Sequence, residues 1–172
     1  MSDLTELPDL AAKRLGAMVL AANDEFFAPK ENLLEPHPPA FVPHRFTDRG
    51  QEVDGWETRR RRSPGHDWVV LRLAAEGAIH RIEVDTTHFK GNHPESCSVE
   101  AARGPGGIEG LEWREVVPRT KLRPHARHGF DVAGAEPASH VRLNIFPDGG
   151  VARLRVHGRV TDDGWRSWGV AG

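Results

Sequence analysis

From about residue 53 onward, apolar and polar positions alternate with a period of two. In Asp67-Trp68-Val69-Val70-Leu71-Arg72-Leu73, the side chains of Val69, Leu71 and Leu73 fall on one face. In the stretch from Ala78 to Asp85, Ile82 and Val84 point inward while Arg81, Glu83 and Asp85 point outward. Val141, Leu143 and Ile145 alternate with Arg142 and Asn144, and Ala152, Leu154 and Val156 alternate with Arg153, Arg155 and His157. Successive strand side chains point to opposite faces, so such alternation marks half-buried strands. Residues 97–102, 113–117 and 130–132 are shorter candidates, and Pro147-Asp148-Gly149-Gly150 reads as a turn that uses glycine for positive φ. About eight short strands with Gly/Pro turns and almost no helical period predict an all-β fold, an antiparallel sandwich or barrel.

The first 50 residues carry a different pattern. Asp9 to Leu15, stopped by Gly16, predicts a short helix, and Ala17 to Ala22 a short buried strand. Pro29, Pro36, Pro38, Pro39 and Pro43 then exclude regular structure. The expected organisation is an N-terminal arm over 1–50 packed on a β-sandwich over 51–160, with a polar, Gly-bearing, linker-like tail over 161–172.

Composition narrows the classes. A chain of 172 residues fits one domain with a sufficient core. With 23 Lys+Arg against 25 Asp+Glu, the net charge of −2 gives no general pull toward nucleic acid or a membrane surface. The lone Cys97 excludes an internal disulfide framework and a Cys-based zinc site. No apolar run reaches the ~18–20 residues of a membrane helix, and the start lacks a signal pattern. A cytoplasmic protein is the expectation.

Two clusters could carry chemistry. The run Asp54-Gly55-Trp56-Glu57-Thr58-Arg59-Arg60-Arg61-Arg62, if extended, sets Glu57, Arg59 and Arg61 on one face and Thr58, Arg60 and Arg62 on the other. It reads either as an anion site, because guanidinium binds carboxylate bidentately, or as a solvated edge strand whose charge blocks pairing. The loop Asp85-Thr86-Thr87-His88-Phe89-Lys90-Gly91-Asn92-His93-Pro94 gathers a carboxylate, two His, a Lys and an Asn at a strand end. It is either a functional loop or a polar turn anchored by Phe89. Ten histidines leave a divalent metal open, yet neither H-E-x-x-H nor His-x-His occurs, and His125-x-x-His128 lies in a Pro/Arg-rich loop. Gly-rich phosphate loops and a Gly-x-Ser-x-Gly elbow are absent.

Together these stretches are more specific than any one of them. Asn23 to Leu33 (NDEFFAPKENL), Asp54 to Arg61, Gly65-His66-Asp67-Trp68, Asp85-Thr86 with His88 to Asn92, and His140 to Arg155 (HVRLNIFPDGGVARLR) resemble allantoicase, in the same order over roughly residues 5–160. The resemblance implies a jelly-roll β-sandwich of the galactose-binding-like type. It implies hydrolysis of allantoate to ureidoglycolate and urea, a step of purine degradation, and a first repeat of two, so that a second repeat or another copy of the chain is the expected partner. No cofactor is certain, and a divalent metal stays open.

Allantoate carries one carboxylate and two ureido groups on a single carbon. The Arg59/Arg61 face or Arg142 would take the carboxylate. Glu57, Asp85 and Asp148 would accept ureido N–H groups, and Asn92 or Lys90 would donate to a ureido oxygen. His88 and Glu57 are the expected acid–base pair, with His66 as the third choice. The alternative is a non-catalytic module of the same fold that binds a small ligand or supports assembly.

Overall fold

The computed structural model describes residues 7–41, 43, 45–133 and 136–171, with side chains through Trp168. Its strands are β1 (Met18–Ala22), β2 (Phe46–Thr47), β3 (Gly50–Gln51), β4 (Trp56–Glu57), β5 (Asp67–Asp85), β6 (Ser96–Ala102), β7 (Arg114–Lys121), β8 (Arg127–Asp131), β9 (Pro137–Phe146), β10 (Gly150–Val151) and β11 (Arg153–Val160), followed by one helix, α1 (Asp162–Ala171). None of the described helices is long and apolar enough to cross a membrane.

The two strands expected at 67–73 and 78–85 are halves of one strand, β5. Asp67 to Arg72 pair with Ile145 to His140 of β9, and pairing then resumes at Gly77 opposite Ala138. Residues 73–76 therefore face Ser139 alone, a bulge that bends the strand and turns it from one layer into the other. The first half of β5 belongs to the layer β1-β5-β9-β6-β7, and the second half lies between β11 and β8. The result is the jelly-roll sandwich expected from the sequence. Glycine is needed at the bend, because a Cβ on Gly77 would stand 2.6 Å from Leu10 Cδ1 and 2.8 Å from the Arg159 carbonyl.

Between the layers lie the inward positions read from the alternation: Val69, Leu71, Ile82, Val84, Val99, Val141, Leu143, Ile145, Leu154 and Val156 are all buried. The N-terminal segment is built into this core. β1 pairs with β5, and Leu10, Leu33 and Leu34 pack among the strand side chains. The expected helix at 9–15 is only a 3₁₀ turn at Lys13–Leu15, closed by Gly16 at φ +112°. Leu10 instead donates its N–H to the Val156 carbonyl and accepts from Ala74 N–H, so its backbone is spent on neighbouring strands.

At the other end of the chain, the residues expected as a linker-like tail form α1. Thr161 Oγ1 accepts the Gly164 N–H at 3.0 Å, an N-cap, and Asp162 and Asp163 sit in the first turn where the helix dipole favours negative charge. Gly164, which made the segment look flexible, is where the helix touches the Glu76 carbonyl too closely for any Cβ.

Candidate active site

Because β5 bends, both of its termini lie at one end of the sandwich. Asp67 pairs with Ile145 near the end of β9, Asp85 pairs with Arg153 at the start of β11, and only residues 146–152 join the two. Nearly all of the chemistry-bearing sequence converges there: the arm around Asp24–Lys30, the Arg-rich run, the loop after Asp85 and the turn after Phe146. β4 is the centrepiece. Glu57 lies opposite Gly150 of β10 on one side and bridges to Ala28 on the other. Trp56 beside it is fully buried and donates its indole N–H to the Asp24 carbonyl at 2.8 Å.

Here a cavity of about 280 Å³ is lined by Glu57, His88, Asn92, Arg49, Phe27 and Phe41, among others. Burial pushes the Glu57 carboxyl above the ordinary carboxylate range, and the hydrogen bond from Asn92 Nδ2 to Oε1 (3.0 Å) offsets only part of this. That bond leaves the Asn92 side-chain oxygen as an acceptor. The Asn92 carbonyl is itself fixed by Gly150 N–H at 2.8 Å. Glycine at 150 is required because a Cβ there would run into the Phe89 ring, the buried anchor of the loop.

His88 occupies the left-handed region, with φ +72°. Its N–H donates to His125 Nδ1 at 2.8 Å, and its Nε2 lies 3.3 Å from the Pro39 carbonyl. A carbonyl can only accept, which assigns a proton to Nε2 and leaves Nδ1 as the ring nitrogen without a protein partner among the described residues. The ring sits between Phe41 and His125, with centroids at 5.7 and 5.4 Å. His125, also left-handed at φ +47°, donates its N–H to the Phe89 carbonyl at 3.0 Å, so the two loops hold one another.

The other residues singled out from the sequence are committed elsewhere. The Arg-rich run is strand only at Trp56–Glu57, so Glu57, Arg59 and Arg61 do not share the face an extended run would give them. Arg59 Nε pairs with Asp24 Oδ2 at 2.9 Å. Arg61 Nη1 pairs with the buried Asp67 at 2.7 Å, and its backbone N–H donates to Asp148 Oδ2 at 2.8 Å. Arg142 pairs with Glu100 at 2.8 Å and lies 4.5 Å over the Trp113 ring. His66 meets Asn144 at 3.2 Å and stacks near Phe146 in that same sheet-face network, which runs on through Asn144 to Ser98 and Glu100. Asp85 Oδ1 accepts the Thr87 N–H at 2.8 Å, and Lys90 is exposed.

Sequence reasoning therefore anticipated Glu57, His88 and Asn92 in one cavity and missed Arg49 there. Arg49 lies in the hairpin turn between β2 and β3, and nothing in its local sequence distinguishes it from a solvated turn residue. His125 was visible only as half of a His-x-x-His pair. Among the described residues, no group of three His, Cys, Asp or Glu side chains is gathered to hold a metal. A larger cleft of about 760 Å³ lies around the β5 bend at the opposite end. Its Arg103 is tied to Glu76 and Asp163, and its His140 is buried and bonded to the Gly106 carbonyl, so it offers less free chemistry.

Residues 8–161 match the family described as Allantoicase repeat. The chain is 48% identical over 153 residues to a probable allantoicase 1 of Burkholderia mallei, covering 88% of this chain and 45% of that protein. The crystal structure of allantoicase from Saccharomyces cerevisiae superimposes with a TM-score of 0.74 at 38% identity, covering 89% of this chain and 43% of that one. A carbohydrate-binding module, CBM32-3 of a family 31 glycoside hydrolase from Clostridium perfringens, shares the fold at a TM-score of 0.63 and 13% identity. The chain spans about half the length of the curated relatives it matches. With a family match over nearly its whole length and close relatives under one name, the chain belongs to the allantoicase family.

Proposed function

We propose that the cavity around Glu57 hydrolyses allantoate to ureidoglycolate and urea. The observation that carries this is the half-buried Glu57, whose proton affinity is raised in the same cavity as the His88 ring and the side chain of Asn92. In the step, a water oxygen bonds to the central carbon as the carbon–nitrogen bond to one ureido group breaks. The departing nitrogen takes a proton and leaves as urea. Glu57, whose proton affinity burial raises, supplies that proton. His88 Nδ1 takes the proton from water, and Asn92 Oδ1 accepts from a ureido N–H.

Such a division of labour needs one carboxyl of raised proton affinity and one ring nitrogen free to accept. Burial favours the first and the Pro39 carbonyl the second. We further propose that the reaction is cytoplasmic, in keeping with the buried free thiol of Cys97. A second allantoicase repeat or another copy of this chain is the proposed assembly partner.

Urea release from allantoate by the purified chain tests the proposal, alone and mixed with a separately made second repeat. Turnover is expected, with loss of at least a hundredfold in Glu57→Gln and His88→Ala variants that keep the wild-type circular dichroism spectrum; one catalytic proton transfer contributes about 10²–10⁴-fold. Wild-type turnover in both variants would refute the assignment. Ligand binding with no urea under any mixing would identify a binding module instead. Loss of turnover on chelation, restored by a divalent ion, would bring a metal into the reaction.

A further inference from the structure

We propose that Arg49 is the carboxylate-binding residue of this cavity and restricts its ligands to small anions that carry a free carboxylate beside a ureido group. The inference rests on the functional reading above and names the feature by which the site selects. An anionic substrate needs a cation whose donors are not already taken. Arg59, Arg61 and Arg142 each hold a protein carboxylate at 2.9, 2.7 and 2.8 Å, and none of the three lines the cavity. Using any of them on a ligand would strip a partner from Asp24, the buried Asp67 or Glu100.

Arg49 differs on both counts. It lines the cavity together with Glu57, His88 and Asn92, and among the described residues no carboxylate lies within salt-bridge distance of it. Its fixed contacts use one edge and one face of the guanidinium. Nη1 donates to the Phe26 carbonyl at 3.2 Å, and the group lies 4.5 Å over the Phe26 ring. Guanidinium has five N–H donors in a planar fork, so a bidentate pair remains for a ligand carboxylate. Besides Glu57, two acidic side chains line the cavity and both are occupied, Glu52 by Arg45 at 3.2 Å and Asp54 by Arg153 at 2.8 Å.

The hairpin explains how a turn residue is aimed. Arg49 N–H donates to Thr47 Oγ1 at 3.1 Å, Thr47 Oγ1 donates to the Gly50 carbonyl at 3.3 Å, and Gly50 takes φ +119° to close the turn. Among the described residues β2 and β3 pair only with each other, and Arg49 ties the hairpin to the body through the Phe26 carbonyl and ring. A ligand carboxylate would add a second link at the same guanidinium.

Calorimetric binding of ureidoacetate, a carboxylate with one ureido group and no second one to lose, separates this inference from the catalytic one. Its neutral amide serves as the charge control. Arg49→Gln is expected to weaken ureidoacetate by about ten- to hundredfold, the usual range for a hydrogen bond to a charged group, and to leave the amide unchanged. Arg49→Lys, which keeps the charge without the fork, is expected to fall between the two. The KM for allantoate should rise in the same order. Binding of ureidoacetate by Arg49→Gln within twofold of wild type overturns the proposal, as does equal weakening of acid and amide. A chain that binds ureidoacetate through Arg49 but releases no urea supports Arg49 and refutes the hydrolytic reading. A chain that neither binds ureidoacetate nor releases urea overturns both.

Discussion

Replacing Arg153 by Met should be among the most damaging single changes in this molecule, although Arg153 lies outside the cavity. Its side chain is 1% exposed. Nη2 pairs with Asp54 Oδ2 at 2.8 Å, Nε donates to the His37 carbonyl at 3.1 Å, and Nη1 donates to the carbonyls of Asn32 and Ala152 at 3.1 and 2.7 Å. R153M leaves those carbonyls unpaired in a dry setting and abandons the Asp54 charge. Removing one partner of a buried ion pair costs about 3–5 kcal/mol. At roughly 2–4 °C per kcal/mol for a chain of this size, the melting temperature should fall by roughly 6–20 °C. The bonds reach the strap 32–40, which carries the Pro39 carbonyl against His88, so ligand affinity should fall with stability. Thermal melts by circular dichroism measure the first effect and calorimetry the second. R153M/D54N should recover part of the loss, because the double change removes the stranded charge. Burial opposes the charge of Asp54, yet the bonds from Arg153 and Ala40 N–H, the Arg153 charge and His37 outweigh it and hold the carboxyl low. That contribution is present above the unfolded value near 3.9 and lost as pH falls through the folded one, so the acid limb of stability should flatten in R153M. A fall of less than about 3 °C would refute the reasoning.

Three further outcomes are expected. With Glu57 as the acid, kcat/KM should decline as pH rises through its elevated pKa; for stability the sign is the same, since a carboxyl raised by burial stabilises below its unfolded pKa and loses this as pH rises through the folded one. Glu57→Gln should therefore abolish turnover while raising the melting temperature near neutral pH, and a lower melting temperature would contradict burial as the cause. Gly149 has φ +134°, and a Cβ there would meet the Asn92 carbonyl at 2.7 Å and Pro94 N at 2.8 Å, so Gly149→Ala should cost roughly 2 kcal/mol in denaturant melts and weaken ligand binding by displacing Asn92. Burial pushes the Cys97 thiol up to about 12, so a thiol reagent at pH 8 should label it only on unfolding, and rapid labelling of the native chain would show the strand opening.

The sandwich was legible because alternation reports burial directly: Val141, Leu143, Ile145, Leu154 and Val156 are inside as their spacing requires. What alternation does not report is continuity. The break between Leu73 and Ala78 separated two expected strands, and it is a bulge within one strand, because a sequence shows where inward positions lapse but not whether pairing resumes beyond them. α1 escaped notice because its two early acids and Gly164 resemble a linker until Thr161 is seen to cap it. At the site, Glu57, His88 and Asn92 were legible through the motifs that hold them. The arginines misled for a physical reason: a guanidinium is as suited to a protein carboxylate as to a ligand, and composition cannot say which it meets. Asp24, 35 residues before Arg59, and Asp67, 6 residues after Arg61, decided the matter.

Those ion pairs also explain how loops without regular structure can hold the candidate site in shape. Arg61 to Asp67 and Asp148, and Arg59 to Asp24, tie three separate loops at the end of the sandwich where strand ladders have run out. Trp56, donating to Asp24, joins the same frame to the core. Glu57 follows Trp56 in the chain and faces the cavity, so its burial is maintained by groups that never touch a ligand. Catalysis by an acid of raised pKa depends on that burial being preserved between turnovers. With that frame's charges spent on one another, and Glu52 and Asp54 of the cavity wall paired with Arg45 and Arg153, Arg49 is the guanidinium of the wall left without a carboxylate partner among the described residues. One accessible cation on the separate β2–β3 hairpin then suffices to recruit an anion, and the group that must sense the ligand's charge is carried on the part of the site least bound to the frame.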